Sequence, residues 1–321
     1  MTEEKALLSV RDLSVEFKSA AGPIRAVDGV DFELFAGETL ALVGESGCGK
    51  SSLARALVGL NRPTAGSVRL GKQELTRLSR SELRPLRKQL QLVFQDPYAS
   101  LNPRLSVGSA IGEAVKLHQR ITASALEARV AQLMGAVGLD PALHQRYPHE
   151  FSGGQRQRIS VARALAVEPS VLLCDEVTSA LDVSVQAQLI ELLKSLQRSL
   201  GLSYLFITHD LGVVRSIATR VAVMYLGQIV EIQATEAFFE QPSHPYSQAL
   251  LASVPRLRPT SGARKLLLGE VPSPANPPSG CRFHPRCPLR FERCSAEAPP
   301  LFPLVPGAAS GGASRCFLQQ K

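Results

Sequence analysis

The sequence predicts an α/β fold with an antiparallel sheet at its N-terminal edge, a helical insert within the core and a small cysteine-containing C-terminal extension. Three observations predict it. Short apolar runs alternate with longer helical patterns along most of the chain, the rhythm of a layered α/β domain. Between about residues 97 and 162 the pattern turns helical with no strand between. From about Pro255 onward Pro, Gly, Ser and Ala become frequent, and four cysteines crowd together.

Taken in order, "LLSVRDLSVEFKS" and "VDFELFAGE" alternate and carry β-formers, so they read as antiparallel edge strands. "ETLALVG", "LQLVFQ", "SVLLCDE", "SYLFITHD" and "RVAVMYLGQIVEI" read as core strands, the middle ones apolar on both faces. "SALEARVAQLMGAVGL" supplies a helical pattern within the insert, and "VPSPANPPSG" is the clearest linker. The expected division is a main domain over 1–245 and an extension over 246–321. There is no evident internal repeat.

With 45% hydrophobic residues in 321, the chain can bury a sizeable core, which excludes disorder throughout. The start, "MTEEKALLSVRD", lacks the basic segment and apolar run of a secretory signal, and no apolar stretch approaches the roughly 18 residues of a spanning helix. A cytosolic chain is expected, with any membrane role exerted through a partner. The net charge is +8, but residues 256–321 hold ten Arg and Lys against Glu270, Glu292 and Glu297, which places +7 of it there. A nearly neutral main body argues against a nucleic-acid-binding core. Cys48 and Cys174 stand singly, whereas Cys281, Cys287, Cys294 and Cys316 cluster; in a cytosolic chain such a cluster reads as metal before disulfide.

The residues from Gly44 to Ser51, "GESGCGKS", fit G-x-x-x-x-G-K-[ST] and lie between the strand "TLALV" and the helix "SSLARALVGL", the context of a P-loop. Glycines let the backbone curl so that its N–H groups face the phosphates; Lys50 supplies charge toward the β- and γ-phosphates and the Ser51 hydroxyl suits Mg²⁺. Gly44, Ser46, Gly47, Cys48, Gly49 and Ser52 complete the expected nucleotide contacts, Cys48 through its backbone alone. "VLLCDE" ends an apolar strand in two carboxylates: Asp175 to hold Mg²⁺ through water and Glu176 to polarise the attacking water. His209, after the strand "YLFIT", is placed to donate to the γ-phosphate, although a lone histidine also reads as structural. Gln95, after "LQLVF", could bind Mg²⁺ or the water and report nucleotide state to the insert. "EFSGGQRQR" opens a helix with unpaired N–H groups, a second place for an anion.

With Lys50, Gln95, "FSGGQ", Asp175-Glu176, "SALD" and His209 in this order, the chain resembles an ABC-transporter ATPase subunit over roughly residues 5–240. The resemblance implies a P-loop NTPase fold of ABC type, binding ATP and Mg²⁺ between two head-to-tail domains. By it Ser152, Gly153, Gly154 and Gln155 cradle the γ-phosphate of a neighbouring subunit's nucleotide, Asp182 belongs to the loop crossing the dimer seam, and Phe17 stacks on adenine. Phe17 reads equally as a strand core residue. Glu176 is followed by Val177 where the family commonly has proline, which leaves the local turn open.

"VFQDPYASLNPR", "CDEVTSALDVSVQAQ", "HPYSQALLASVP" and the cysteine-rich tail look like the ATPase subunits of oligopeptide/dipeptide permeases, whose relatives include nickel and glutathione importers. The wording of "QDPYASLNPR" resembles the second of their two ATPases. That implies a heterodimer with another ABC ATPase, two transmembrane permease subunits and an extracytoplasmic substrate-binding protein, at the cytoplasmic face of the inner membrane. A soluble ABC ATPase acting on nucleic acid is the competing class; such proteins tend to carry two cassettes or long coiled coils, and this chain has one cassette and no sustained heptads. A small-molecule kinase leaves "SGGQ" unexplained.

The tail spacing, C-x5-C-x6-C-x21-C, is not that of a zinc ribbon. Cys281, Cys287, Cys294 and Cys316 can still hold a 4Fe-4S cluster, as the permease resemblance implies, with Arg282, Arg286, Arg290 and Arg293 offsetting its charge. Zinc and free or oxidised thiols remain open, and His284 could replace one ligand.

Overall fold

The computed structural model describes residues 5–19, 22–119, 121–253, 269–304 and 312–320. In chain order its principal elements begin with β1 (Leu8–Ser19), β2 (Gly22–Leu34), β3 (Thr39–Val43), α1 (Lys50–Leu57), β4 (Ala65–Leu70), β5 (Gln73–Glu74), α2 (Arg80–Leu86) and β6 (Leu90–Val93). There follow α3 (Pro97–Ser100), α4 (Val107–His118), α5 (Ala123–Ala136), α6 (Gly153–Leu165), β7 (Val171–Asp175), α7 (Val183–Leu200) and β8 (Ser203–Ile207). The chain continues through α8 (Leu211–Ile217), β9 (Arg220–Tyr225), β10 (Gln228–Ala234), α9 (Thr235–Glu240), α10 (Pro245–Ser253), α11 (Glu292–Ala296), β11 (Phe302–Pro303) and β12 (Ala313–Ser314). They fall into two compact units, one holding 35–38 and Arg77–Thr208, the other Lys5–Leu34, Thr39–Thr76 and His209–Lys321.

In the first unit β8, β7 and β6 run parallel in that order, with Leu90 opposite Val171 and Asp175 opposite Ile207. Every residue of β7 and β8 is buried, which is why both read as unbroken apolar runs rather than as alternation. Helices α3 to α6 fill the interval between β6 and β7, where the helical insert was expected. α4 buries Val107, Ala110, Ile111 and Val115, a stripe at helical spacing, and α5 buries Val130, Leu133 and Met134. Ser106 and Thr122 start these helices by accepting from the third backbone N–H, and α7 stops at Gly201, which takes the left-handed conformation.

In the second unit β2, β1, β4 and β5 form the antiparallel sheet expected near the N-terminus. Its alternation is interrupted at Asp12, whose φ is +47 and where the pairing with β2 shifts register between Val10 and Leu13. This is a bulge, fixed by a 2.9 Å bond from the Asp12 N–H to Asp31 Oδ1. β11, β12, β10, β9 and β3 follow one another in a second set of strands, β3 and β9 parallel. "RVAVMYLGQIVEI" divides into the hairpin β9–β10, turning at Leu226 and Gly227, both at positive φ. The extension docks by strand addition: Ser314 and Ala313 of β12 face Glu231 and Ile232 of β10. Its Phe283 is buried with Tyr225, Phe238 and Tyr246 in one apolar cluster. "VPSPANPPSG" has no regular structure, as its composition predicts. Among the described residues no helix is long and apolar enough to cross a membrane.

Candidate functional site

In the second unit the P-loop runs from the end of β3 into α1, with Ser51 and Ser52 half-buried in the helix's first turn. Gly49, the helix N-cap, has φ +110, and a Cβ there would come within 2.0 Å of the Ala26 carbonyl oxygen, so only glycine closes this turn. The buried Lys50 ammonium donates to the carbonyls of Gly44 at 2.8 Å and Glu45 at 3.0 Å. Burial pushes the Cys48 thiol up. Ser46 and Gly47 are exposed. Phe17 is 40% exposed on β1, so the alternative of a strand core residue does not hold. His209 is exposed just before α8.

In the first unit β7 delivers Asp175, buried, and then Glu176 at φ +49. The turn left open by Val177 is closed: Val177 is buried, Glu176 N–H donates to the Ile207 carbonyl at 3.0 Å, and Ser179 N–H donates to that of Glu176 at 3.1 Å. Gln95 reaches Glu176, its Nε2 donating to Oε2 at 2.9 Å. The signature forms the N-terminus of α6. Ser152 Oγ accepts from Gln155 N–H and Gln155 Oε1 accepts from Ser152 N–H, a capping box that commits the Gln155 side chain to the loop itself. A Cβ on Gly154 would lie 2.3 Å from Val185 Cγ1, whereas one on Gly153 would meet nothing nearer than Leu181 at 3.9 Å. Asp182 is the N-cap of α7 yet makes no side-chain capping bond.

Two residues that local pattern did not single out as site residues, Tyr246 and Arg286, attach to the P-loop at Glu45. Glu45 N–H donates to Tyr246 Oη at 3.0 Å, and the Glu45 carboxylate receives both Arg286 nitrogens, at 2.8 and 3.1 Å. The sequence offers Tyr246 only within "HPYSQALLASVP" and Arg286 only as a counter-charge to the cysteines; nothing local marks a partner 241 positions away.

Cys281, Cys287, Cys294 and Cys316 are half-buried, free, and border one small pocket together with His244 and Phe317. Burial pushes the Cys281 thiol up to about 11 and raises those of Cys287 and Cys316. Among the described residues no three His, Cys, Asp or Glu side chains are placed to hold a metal ion, so the geometry gives the expected cluster and the zinc alternative no support. Three of the four arginines expected to offset charge at the cysteines pair with carboxylates instead, whereas the charge of Arg290 favours the Cys287 thiolate. Arg282 pairs with Asp28, Arg286 with Glu45 and Arg293 with Glu297, while Arg290 is exposed. Arg256, Arg258, Arg264, Lys265 and Lys321, half of the tail's cations, lie outside the described residues.

Residues 27–179 match the ABC transporter family model. The chain is 48% identical over 310 residues to the oligopeptide transport ATP-binding protein OppF of Escherichia coli, covering 92% of this chain and 93% of that one. The chain belongs to the ABC transporter ATP-binding family. It is 47% identical over 304 residues to the di/tripeptide transport ATP-binding protein DppF of Pseudomonas aeruginosa, covering 92% and 94%. Residues 230–294 match the C-terminal region of oligopeptide/dipeptide transporters, the stretch that contains most of β10, all of α9 and α10 and three of the four clustered cysteines. Among solved structures, a dimeric bacterial ABC transporter cassette aligns with a TM-score of 0.66 and 26% identity, over 71% of this chain and 98% of that one. The same cassette bound to ADP and Pi aligns equally well. This ABC family member is thus an ATP-hydrolysing transporter subunit with an ABC ATPase fold.

Proposed function

We propose that this ABC ATPase subunit drives uptake of di- and oligopeptides through two separate membrane permease subunits, which receive the peptide from an extracytoplasmic binding protein. The observation that carries this reading is the similarity to peptide-transport ATP-binding proteins over more than nine-tenths of the chain, including the C-terminal region. On this reading the chain acts at the cytoplasmic face of the inner membrane, paired with a second, different ABC ATPase. Residues 1–245 form the nucleotide-binding domain, with its helical part over about 97–162, and 246–321 the extension.

In the proposed chemistry the P-loop backbone from Gly44 to Ser52 wraps the phosphates and Lys50 balances their charge, while Phe17 stacks on adenine. Ser51, Asp175 and Gln95 are the residues that would hold Mg²⁺, which would supply positive charge against the phosphates. Glu176 polarises the attacking water, Gln95 holds the Glu176 carboxylate, and His209 donates to the γ-phosphate. Ser152, Gly153 and Gly154 cradle the γ-phosphate held by the neighbouring ATPase, next to Asp182 at the seam. The open surroundings of Gly153 support this, because no packing inside the chain requires glycine there. ATP then bridges two surfaces, and its hydrolysis removes the contacts that hold them together.

For the thiol pocket we propose a 4Fe-4S cluster on Cys281, Cys287, Cys294 and Cys316, supported by four soft donors bordering one space. Such a cluster would cross-link the extension and make it redox-sensitive; zinc is the alternative. The function is tested by uptake of labelled di- and oligopeptides in a deletion strain, with nickel and glutathione as comparators. Restored peptide uptake with the native chain, and none with Glu176→Gln, is the expected result; uptake of nickel or glutathione alone would reassign the substrate.

A further inference from the structure

The extension and the P-loop meet at Glu45, the second residue of the loop. Between Cys281 and Cys287, which border the thiol pocket with Phe283 and His284, the chain also sends two arginines to acids of the second unit. Arg282 pairs with Asp28 of β2 and donates to the Leu226 carbonyl. Phe283 packs edge-on against Tyr225, ring centroids 5.4 Å apart. Arg286, with a side chain only 5% exposed, makes a two-pronged bond to the Glu45 carboxylate and a 3.4 Å bond to Tyr225 Oη. Tyr246, from the first turn of α10, accepts the Glu45 N–H while its ring packs on Tyr225 and Phe283. Glu45 in turn offers its carbonyl to Lys50.

We propose that Arg286, assisted by Tyr246, is a positioning residue for nucleotide binding: it fixes the P-loop through Glu45 and neutralises a carboxylate that would otherwise face an anionic ligand. This rests on the reading of residues 44–51 as the phosphate loop. Both effects follow from the geometry. A forked guanidinium–carboxylate pair restrains a side chain in angle as well as distance. Removing the buried cation leaves Glu45 charged beside the place where ATP brings several more negative charges, a like-charge juxtaposition.

The test is equilibrium titration of ATP against the full-length chain, with melting temperature recorded for each variant. Arg286→Gln is expected to weaken ATP about tenfold, and Arg286→Lys less, since charge survives without the fork. Glu45→Gln should weaken it only about two- to threefold, and the double variant should match Glu45→Gln, because the harmful charge has gone. A purely structural strut predicts otherwise: the double variant would bind no better than Arg286→Gln, and that result overturns the proposal. So does a lowered melting temperature with unchanged affinity. Should Arg286→Gln fail to fold, Tyr246→Phe decides, since it keeps the ring and removes only the acceptor of Glu45 N–H; unchanged affinity there also overturns it. Lys50→Ala separates the two levels. If it binds ATP normally, the phosphate-loop reading itself is wrong; if it loses ATP while Arg286→Gln does not, the inference alone fails.

Discussion

Gln95 Nε2 and Glu176 Oε2 lie 2.9 Å apart, a hydrogen bond joining residues 81 positions apart in sequence. The residue assigned to the water is therefore held by the residue that leads into the helical insert: Gln95 directly precedes Asp96, the N-cap of α3. A neutral donor can orient a carboxylate without removing its charge, so the pair suits a base that must stay ionised. Glu176→Gln is expected to lower ATP turnover by a factor of about 10² or more while leaving ATP binding intact, measured by phosphate release and by nucleotide titration. Gln95→Ala should slow turnover less, because it removes the hold and not the base. Normal turnover in Glu176→Gln would take that residue out of the chemistry.

Gly153 and Gly154 stand side by side yet face different constraints, and two substitutions separate them. Gly154→Ala drives a methyl group against Val185, and overpacking of this kind costs about 1–3 kcal/mol, or roughly 3–10 °C in melting temperature. Gly153→Ala meets open space, so the melting temperature should hold while ATP hydrolysis in the assembled transporter falls. Full hydrolysis by Gly153→Ala would mean that nothing approaches this glycine from outside.

The parallel strands were legible because burial on both faces leaves an unbroken apolar run, and "SVLLCDE" shows it most clearly. The phosphate loop was legible because its glycine spacing and flanking elements are local. The bulge at Asp12 was hidden, since an extra residue disturbs alternation by one position and leaves composition unchanged. The ties of Glu45 to Tyr246 and Arg286 were hidden for another reason: they join positions 201 and 241 residues apart, and no local period carries that information. Reading the tail arginines as counter-charges to the cysteines assumed that neighbours in sequence serve one another, whereas Arg282 and Arg286 turn toward acids of the N-terminal strands and the P-loop.

Cys174, the fourth of the five residues of β7, is fully buried, and burial pushes its thiol up to about 12 from an ordinary 9.0. Between pH 9 and 12 the unfolded chain releases this proton and the folded chain keeps it. The folded state then binds more protons, so stability falls as pH rises through that window and is unaffected below it. About three pH units at 1.36 kcal/mol each set an upper bound of about 4 kcal/mol. Urea unfolding at pH 8 and pH 11, on the native chain and Cys174→Val, checks this: the native chain should lose more on going to pH 11. Equal losses would show that the thiol is not the titrating group.

The occupant of the thiol pocket is settled by elemental analysis of chain purified without oxygen. Four soft donors bordering one space are what supports the proposed cluster. About four irons and four sulfides per chain, with a brown colour that fades in air, is the expected result. Replacing any one of Cys281, Cys287, Cys294 or Cys316 by serine should reduce that iron content. ATP affinity should change little in Cys294→Ser, since Cys294 lies outside the segment that carries Arg286 to Glu45. Stoichiometric zinc without iron would replace the cluster with an ion, and metal-free chain with four titratable thiols would leave the pocket as packing alone.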